Sequence, residues 1–96
     1  MPSKLSTTDI KAKLRSLPSW QLKKKKLHRE FKFKDFVQAF SFMTACALEA
    51  EKMNHHPEWF NVWSSVMVDL QTHDAGGITE LDFTLAGRME KLAKKF

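Results

Sequence analysis

The sequence has one cysteine and no long apolar run, and both features narrow the classes of protein to which it can belong. Cys46 has no second cysteine to pair with, and because it lies in an apolar helical pattern we expect a buried thiol. No stretch approaches the roughly 20 apolar residues that cross a bilayer, and the opening MPSKLSTTDI lacks the apolar core of a signal peptide. We therefore expect a soluble chain without a membrane partner. Its expected location is the cytoplasm, with the nucleus as an additional one.

The length and composition of the chain indicate one small domain. The 96 residues are 43% hydrophobic, which supports a single domain over residues 1–96. A domain of this size hides only about 60–65% of the surface that its unfolded chain exposes. Association between copies would therefore add useful stability.

The net charge of +5 raises the question of nucleic-acid binding. The densest run of cations, Lys23 to Lys26, lies between two predicted strands, where lysines solvate a turn and discourage pairing at a sheet edge. A nucleic-acid-binding patch is the alternative, and salt-dependent retention on nucleic acid would distinguish the two. Because no RNA- or DNA-binding motif accompanies the lysines, we expect no direct nucleic-acid partner.

Capping residues predict three helices. Each helix begins after a side-chain oxygen that can accept an otherwise free backbone N–H. The predicted helices, each with its N-cap, are about 7–16 after Ser6, about 36–53 after Asp35 and about 80–92 after Thr79. Asn54 is the predicted C-cap of the second helix, and Pro57 prevents its resumption.

Two predicted pairs of strands separate the helices, at about 20–24 and 27–33, and at about 59–63 and 65–72. In the last strand Val66, Val68 and Leu70 alternate with Met67 and Asp69, as expected for a half-buried strand. The order αββαββα indicates an α+β fold, in which a four-stranded antiparallel sheet carries three helices on one face.

The second predicted helix is apolar around much of its circumference. One sheet face cannot cover such a helix, so it is either deeply buried or shared with another subunit. We favour a contact between subunits over a cofactor groove, and we place Phe40, Met43 and Ala47 in that contact.

Three of the four histidines gather between residues 51 and 73. His55 and His56 are adjacent, and His73 follows an apolar segment. Imidazoles exchange protons near neutral pH, so the cluster indicates proton transfer. Three other interpretations are open. His55 and His56 could only hydrogen-bond carbonyls at the helix end, and His73 could be a simple turn residue. The three histidines could also bind a metal, although the regular spacing of metal ligands is missing.

The spacing of this region resembles that of the pterin-4a-carbinolamine dehydratases, also known as dimerisation cofactors of a homeodomain transcription factor. The residues that carry the pattern are Glu51, His55, His56, Pro57, Trp63, His73 and Asp82. The runs HHPEWFNV and THDAGGIT are its most distinctive parts, and the resemblance covers nearly the whole domain. One departure is Trp63, which stands where a tyrosine is common in the family.

The resemblance implies elimination of water from a 4a-hydroxytetrahydropterin substrate, giving a quinonoid dihydropterin without a metal or other cofactor. It implies that His55 and His73 donate protons near the leaving hydroxyl. His56 then positions the pterin or accepts the proton of N5.

The other motif residues have a functional and a structural interpretation. Glu51 orients an imidazole or recognises the ring, or it is a solvated carboxylate at a helix end. Asp82 fixes His73, or it only caps the third helix. Pro57, Trp59 and Trp63 are assigned to the substrate site, and core or interface packing is the alternative for the two aromatic residues.

The resemblance further implies a homotetramer, built as a dimer of dimers through the second helix. Some relatives have a second role, in which the same helical surface stabilises dimers of a transcription factor. A protein-interaction module with a transcription-factor partner is therefore the alternative function.

Overall fold

The computed structural model describes residues 2–96, which form a four-stranded sheet with three α-helices packed on one face. In chain order the elements are α1 (Thr7–Leu14), β1 (Gln21–Lys23), β2 (Lys26–Lys32), α2 (Phe36–Met53), β3 (Glu58–Val62), β4 (Ser65–Leu70), a 3₁₀ helix (His73–Ala75) and α3 (Glu80–Ala93). The predicted α+β class and the order αββαββα are confirmed. None of these helices is long and apolar enough to span a membrane.

The ends of the helices follow from the predicted capping residues. Ser6 and Asp35 each accept a hydrogen bond from the backbone N–H three residues further on. Thr79 and Asp82 form a reciprocal capping box at the start of α3. Helix α2 ends at Asn54, whose left-handed backbone (φ 50°) is one that asparagine tolerates better than most residues.

The sheet has the strand order β1-β2-β4-β3, and every neighbouring pair is antiparallel. Leu27 at the start of β2 pairs with Leu70 at the end of β4. Glu58, which begins β3, pairs with Asp69 near that same end. The segment before β3 and the segment after β4 therefore emerge at one end of the sheet, and these segments carry the three clustered histidines.

The core lies between the inner face of the sheet and helices α2 and α3. Alternation along the strands gives each one an inward face, as the pattern of β4 predicts. The apolar side chains that are essentially inaccessible to solvent are Leu27, Phe31, Phe42, Cys46, Val66, Val68, Leu70, Leu85 and Met89. This packing holds the sheet and the helices in place, and so positions the segments that carry the histidines.

The predicted boundaries shift where turns replace regular structure. Trp63 belongs to the β3–β4 turn with a φ of 51°, so β3 ends at Val62. β4 ends at Leu70, and Thr72 forms an isolated bridge with Gly77. The turn that was one interpretation of His73 is a short 3₁₀ helix between them. Helix α1 is also two residues shorter than predicted, ending at Leu14.

Candidate active site

A cavity of about 380 Å³ opens at the end of the sheet where β4 finishes. His55, His56 and His73 all line it, so the fold brings together three side chains that the sequence places up to 18 residues apart. The other lining residues are Met53, Asn54, Gln71, Thr72, Asp74 and Leu81. A cavity of this size suits a small organic molecule.

His55 is the buried member of the three, with 8% of its surface exposed. Its Nε2 lies 2.6 Å from Oδ1 of Asp82, a carboxylate that is itself fully buried. Oδ2 of Asp82 accepts hydrogen bonds from the Thr72 hydroxyl and the Thr79 backbone N–H, both at 2.9 Å. Because a buried carboxylate is costly unless its oxygens are satisfied, these donors are what permit Asp82 to lie behind the imidazole.

The hydrogen-bond directions in this network determine which nitrogen of His55 can exchange a proton. The Thr72 hydroxyl donates to Asp82, so the hydroxyl of Thr79, 2.7 Å away, must donate to Thr72. The Asp82 carboxylate only accepts, which places a hydrogen on Nε2 of His55. Nδ1 is therefore the ring nitrogen that can gain or lose a proton, and Asp82 can stabilise the cation formed when it gains one.

His56 lies in a different environment at the mouth of the cavity. Its Nε2 is 2.6 Å from Oε1 of Glu51, and the two side chains are 55% and 78% exposed. Glu51 thus contacts the imidazole five residues later and not His55, because the left-handed turn at Asn54 directs His55 into the protein. The pair can change orientation at little cost because water solvates both groups.

His73 begins the 3₁₀ helix and is exposed. Its imidazole makes no hydrogen bond with any other side chain or backbone group in residues 2–96. The interpretation that Asp82 fixes His73 is therefore wrong, since Asp82 contacts His55. The capping role proposed for Asp82 is confirmed, so one carboxylate both starts α3 and holds His55.

Pro57, Trp59 and Trp63 do not line the cavity of the single chain. Trp59 faces inward and packs in part against the core. Trp63 lies in the turn at the opposite end of β4, roughly 20 Å away for a strand of this length. Their contact with a substrate stays a prediction.

Thr72 is the main site residue that sequence reasoning missed. It is 5% exposed and links the Asp82 carboxylate to the start of α3. A signal for it was available, because Thr72 continues the inward series Val66, Val68, Leu70 at a spacing of two. A polar residue in an inward series needs a partner, and here that partner is Asp82.

These features define a class of protein: a small α+β domain with three imidazoles around one cavity, one of them held by a buried carboxylate. Such a domain is equipped to move protons on a bound small molecule. Residues 3–92 match the family described as pterin 4 alpha carbinolamine dehydratase. The chain belongs to this family.

Relatives and solved structures agree with the assignment. The chain is 56% identical over 93 residues to a Solibacter usitatus protein named "Putative pterin-4-alpha-carbinolamine dehydratase", covering 97% of this chain and 98% of that one. A Rhizobium johnstonii protein of the same name is 55% identical over 96% of this chain and 93% of its own.

Two solved structures share the fold. A "transcriptional coactivator/pterin dehydratase" from Brucella melitensis has a TM-score of 0.92 and 45% identity, covering 95% of this chain and 99% of that one. A pterin dehydratase-like protein identified as a RuBisCO assembly factor in the alpha-carboxysome has a TM-score of 0.67 and 27% identity. The match covers 78% of this chain and 89% of that one. The first of these proteins is thus described as a coactivator and dehydratase, and the second as an assembly factor.

Proposed function

We propose that this chain removes water from a 4a-hydroxytetrahydropterin and releases a quinonoid dihydropterin. The observation that carries the proposal is the meeting of His55, His56 and His73 around one cavity in a member of the dehydratase family. In this reaction the C4a–O bond breaks, N5 loses its proton and a C4a=N5 double bond forms. One proton goes to the leaving oxygen and one comes from N5, so an acid and a base suffice for the proton balance. A separate reductase could then recycle the product to the tetrahydropterin level.

His55 is suited to be the acid at the leaving hydroxyl. Its Nε2 remains bonded to Asp82 in either protonation state, so only Nδ1 exchanges a proton. His55 donates from Nδ1 while Nε2–H stays bonded to the Asp82 carboxylate, which lies beside the ring. The contact at 2.6 Å and the burial of both groups hold the ring in one orientation.

His73 and His56 supply the remaining proton-transfer and positioning groups. The imidazole of His73 makes no hydrogen bond within residues 2–96, so the ring can turn towards a bound pterin and donate a hydrogen bond to the leaving oxygen, to which His55 transfers the proton. His56 is oriented by Glu51 at the cavity mouth, where it positions the ring or accepts the N5 proton.

The direct test is the dehydration rate of freshly generated 4a-hydroxytetrahydropterin, with the spontaneous rate subtracted. We expect the wild-type chain to accelerate the reaction, and His55→Ala with His56→Ala to lower that acceleration by about 10²–10⁴-fold. The matched control is His28→Ala. His28 also bonds a carboxylate, with Nδ1 2.8 Å from Asp69, but it lies on β2 outside the cavity. A folded wild-type chain without acceleration would reject the dehydratase proposal, and equal losses in the control would reject the assignment of the site.

The second candidate function is protein association through α2. Four large apolar side chains of this helix remain exposed in the single chain: Phe36, Val37, Phe40 and Leu48. Ala47 is exposed too, whereas Met43 packs in part against its own core and offers less to a partner. An exposed apolar face of this kind supports a homotetramer built as a dimer of dimers, and the same face could serve a transcription-factor partner.

Phe40→Glu tests this association, because Phe40 is 54% exposed and the change should leave the folded chain intact. We expect sedimentation to show a wild-type tetramer that dissociates in the variant. Ala12→Glu, an exposed change on α1, adds the same charge as a control and should retain the tetramer. An unchanged mass for Phe40→Glu would place the interface elsewhere.

A further inference from the structure

The turn between β1 and β2 has an unfavourable backbone for the residues it contains. Lys24 and Lys25 form a two-residue turn, and both are left-handed, with φ values of 52° and 66°. Turns of this kind strongly prefer Asn-Gly, because side chains with a Cβ other than Asn or Asp are disfavoured there. Residues with a strained backbone cluster at functional sites, so the strain indicates a role for the side chains of these two lysines.

Protection of a sheet edge does not explain these two lysines. β1 is an edge strand, and Lys23 within it can discourage pairing with another sheet. Lys24 and Lys25 lie in the turn and not in the strand, so an Asn-Gly turn would leave the edge equally protected. Their positive charge is the property that an Asn-Gly turn would lack.

The charges of this turn are also unbalanced. Lys26 forms an ion pair with Glu58, and the Asp69 carboxylate is hydrogen-bonded to His28. Within residues 2–96, Lys23, Lys24 and Lys25 make no ion pair with a carboxylate. Three neighbouring ammonium groups therefore remain available to an anion from solution.

The lysine turn lies beside the wall of the histidine cavity. Gln71 lines that cavity and donates to Oε2 of Glu58 at 3.2 Å, while Oε1 of Glu58 binds Lys26 at 2.5 Å. Two contacts thus connect the cavity wall to Lys26, the residue that directly follows the turn. A substrate whose ring occupies the cavity can extend a substituent past Gln71 towards these lysines.

A second groove brings another cation to the same region. Lys25 lines a cavity of about 190 Å³ together with Lys4, Gly76 and Gly77, and the two glycines directly follow the 3₁₀ helix that starts at His73. The stem of Lys4 lies so close to Gly77 that an added Cβ would be 2.9 Å from it. None of the side chains lining this groove is acidic.

The carboxylates near the cavity lie where they would direct an anion towards the lysines. Asp74 lines the histidine cavity, and Glu51 contacts His56, which lines it too. A negative group inside the cavity would meet these charges. Beyond Gln71 the carboxylates of Glu58 and Asp69 are already paired with Lys26 and His28, whereas Lys24 and Lys25 have no such partner. The anion is therefore expected on the side chain of the substrate and not on the ring.

We propose that the pterin substrate carries an anionic side chain, a phosphate ester or a carboxylate, and that Lys24 and Lys25 recognise it. This substrate class rests on the proposed dehydratase function. Recognition by exposed lysines is electrostatic, so it should weaken as salt is added.

The test compares three freshly generated 4a-hydroxytetrahydropterins that differ only in the substituent at C6: a neutral hydroxymethyl group, its phosphate ester, and a carboxylate-bearing group. The readout is the ratio of kcat/KM for each anionic substrate to that for the neutral one. The phosphate and carboxylate arms show which anion is preferred. Salt is raised from about 50 mM to about 500 mM, which shortens the Debye length several-fold.

The decisive variant carries Lys24→Asn and Lys25→Gly together. It removes two charges while giving the turn its preferred residues, so a higher Tm is expected and misfolding cannot explain a loss of preference. Lys11→Gln with Lys95→Gln removes the same net charge from exposed positions elsewhere. We expect the variant to lower the ratio for the preferred anion by about three- to tenfold, and the control to leave it unchanged.

The outcomes separate the two proposals. Equal kcat/KM values for neutral and anionic substrates, or a ratio that survives in the turn variant, would overturn the anionic substrate while leaving the dehydratase intact. A preference that is insensitive to salt would likewise overturn recognition by the lysine turn. If the folded wild-type chain dehydrates none of the three, the dehydratase proposal fails and this inference fails with it.

Discussion

Two histidine–carboxylate pairs serve the same cavity at the same separation of 2.6 Å, yet they lie in opposite environments. His55 and Asp82 are buried, and threonine and backbone donors satisfy the carboxylate. His56 and Glu51 are exposed, with water on most sides. The distance alone would suggest two equal pairs, but burial makes their energetics different.

The difference indicates a division of labour between the two pairs. A buried pair with saturated partners holds one ring orientation and one tautomer, which suits a group that must deliver a proton to a fixed atom. An exposed pair is screened and can adjust as a ligand arrives, which suits a group that positions the substrate. We therefore expect the buried pair to control kcat and the exposed pair to control KM.

Asp82→Asn should break the buried pair and give the largest effect. The amide must present its oxygen to Thr79 N–H, which turns its NH₂ towards Nε2 of His55 and moves the imidazole hydrogen to Nδ1. The ring then loses both its cation-stabilising charge and its correct tautomer. We expect kcat to fall by about 10²–10⁴-fold and unfolding free energy to fall by about 1–3 kcal/mol, measured by initial rates and urea denaturation.

The matched control for that change is Asp69→Asn, at the His28 pair outside the cavity. Cys46 provides an internal report on folding in both variants. Burial raises the pKa of its thiol to about 12, so at about pH 8 a thiol reagent should react only when the fold opens. A large kcat loss with unchanged thiol protection would confirm a catalytic effect, whereas equal kcat losses in the two variants would contradict the special role of Asp82.

Local chemistry made most of the fold predictable from the sequence. Ser6, Asp35 and Thr79 are oxygen-bearing caps, and each of them does begin a helix. The alternation of Val66, Val68 and Leu70 set the buried face of β4. These features depend on residues within a few positions of one another, which is the range over which a sequence pattern carries structural information.

The pairing of carboxylates with imidazoles was not predictable in the same way. A spacing of four residues would bring Glu51 and His55 into contact on a continuous helix. Helix α2 instead stops before Asn54, and the left-handed backbone of Asn54 turns the His55 side chain away from Glu51. Asp82 reaches His55 across 27 positions, a contact that depends on how α3 packs against α2. Trp63 was likewise assigned to the strand, because its positive φ has no signature in the sequence.

Thr72→Val should weaken the buried pair without breaking it. The change keeps the side-chain shape but removes the hydroxyl that donates to Asp82 and accepts from Thr79. We expect a loss of about 1 kcal/mol in unfolding free energy and about a fivefold loss in kcat, because Asp82 keeps two of its three donors. Thr84→Val, an exposed change on α3, is the control for the loss of a threonine hydroxyl. A variant as inactive as Asp82→Asn would show that the threonine itself acts on the substrate.

Glu51→Gln should change the exposed pair and give the smallest effect. Because Glu51 and His56 are solvated, the stability change is expected to stay within about 0.5 kcal/mol. His56 loses its charged partner but keeps its place at the cavity mouth. We therefore expect KM to rise about twofold to threefold while kcat changes little. Added salt should reduce this difference in KM between the variant and the wild type. Steady-state kinetics at two salt concentrations measure both quantities. A fall in kcat comparable with that of Asp82→Asn would make the exposed pair a proton-transfer group, since only a group needed in the transition state lowers kcat without raising KM.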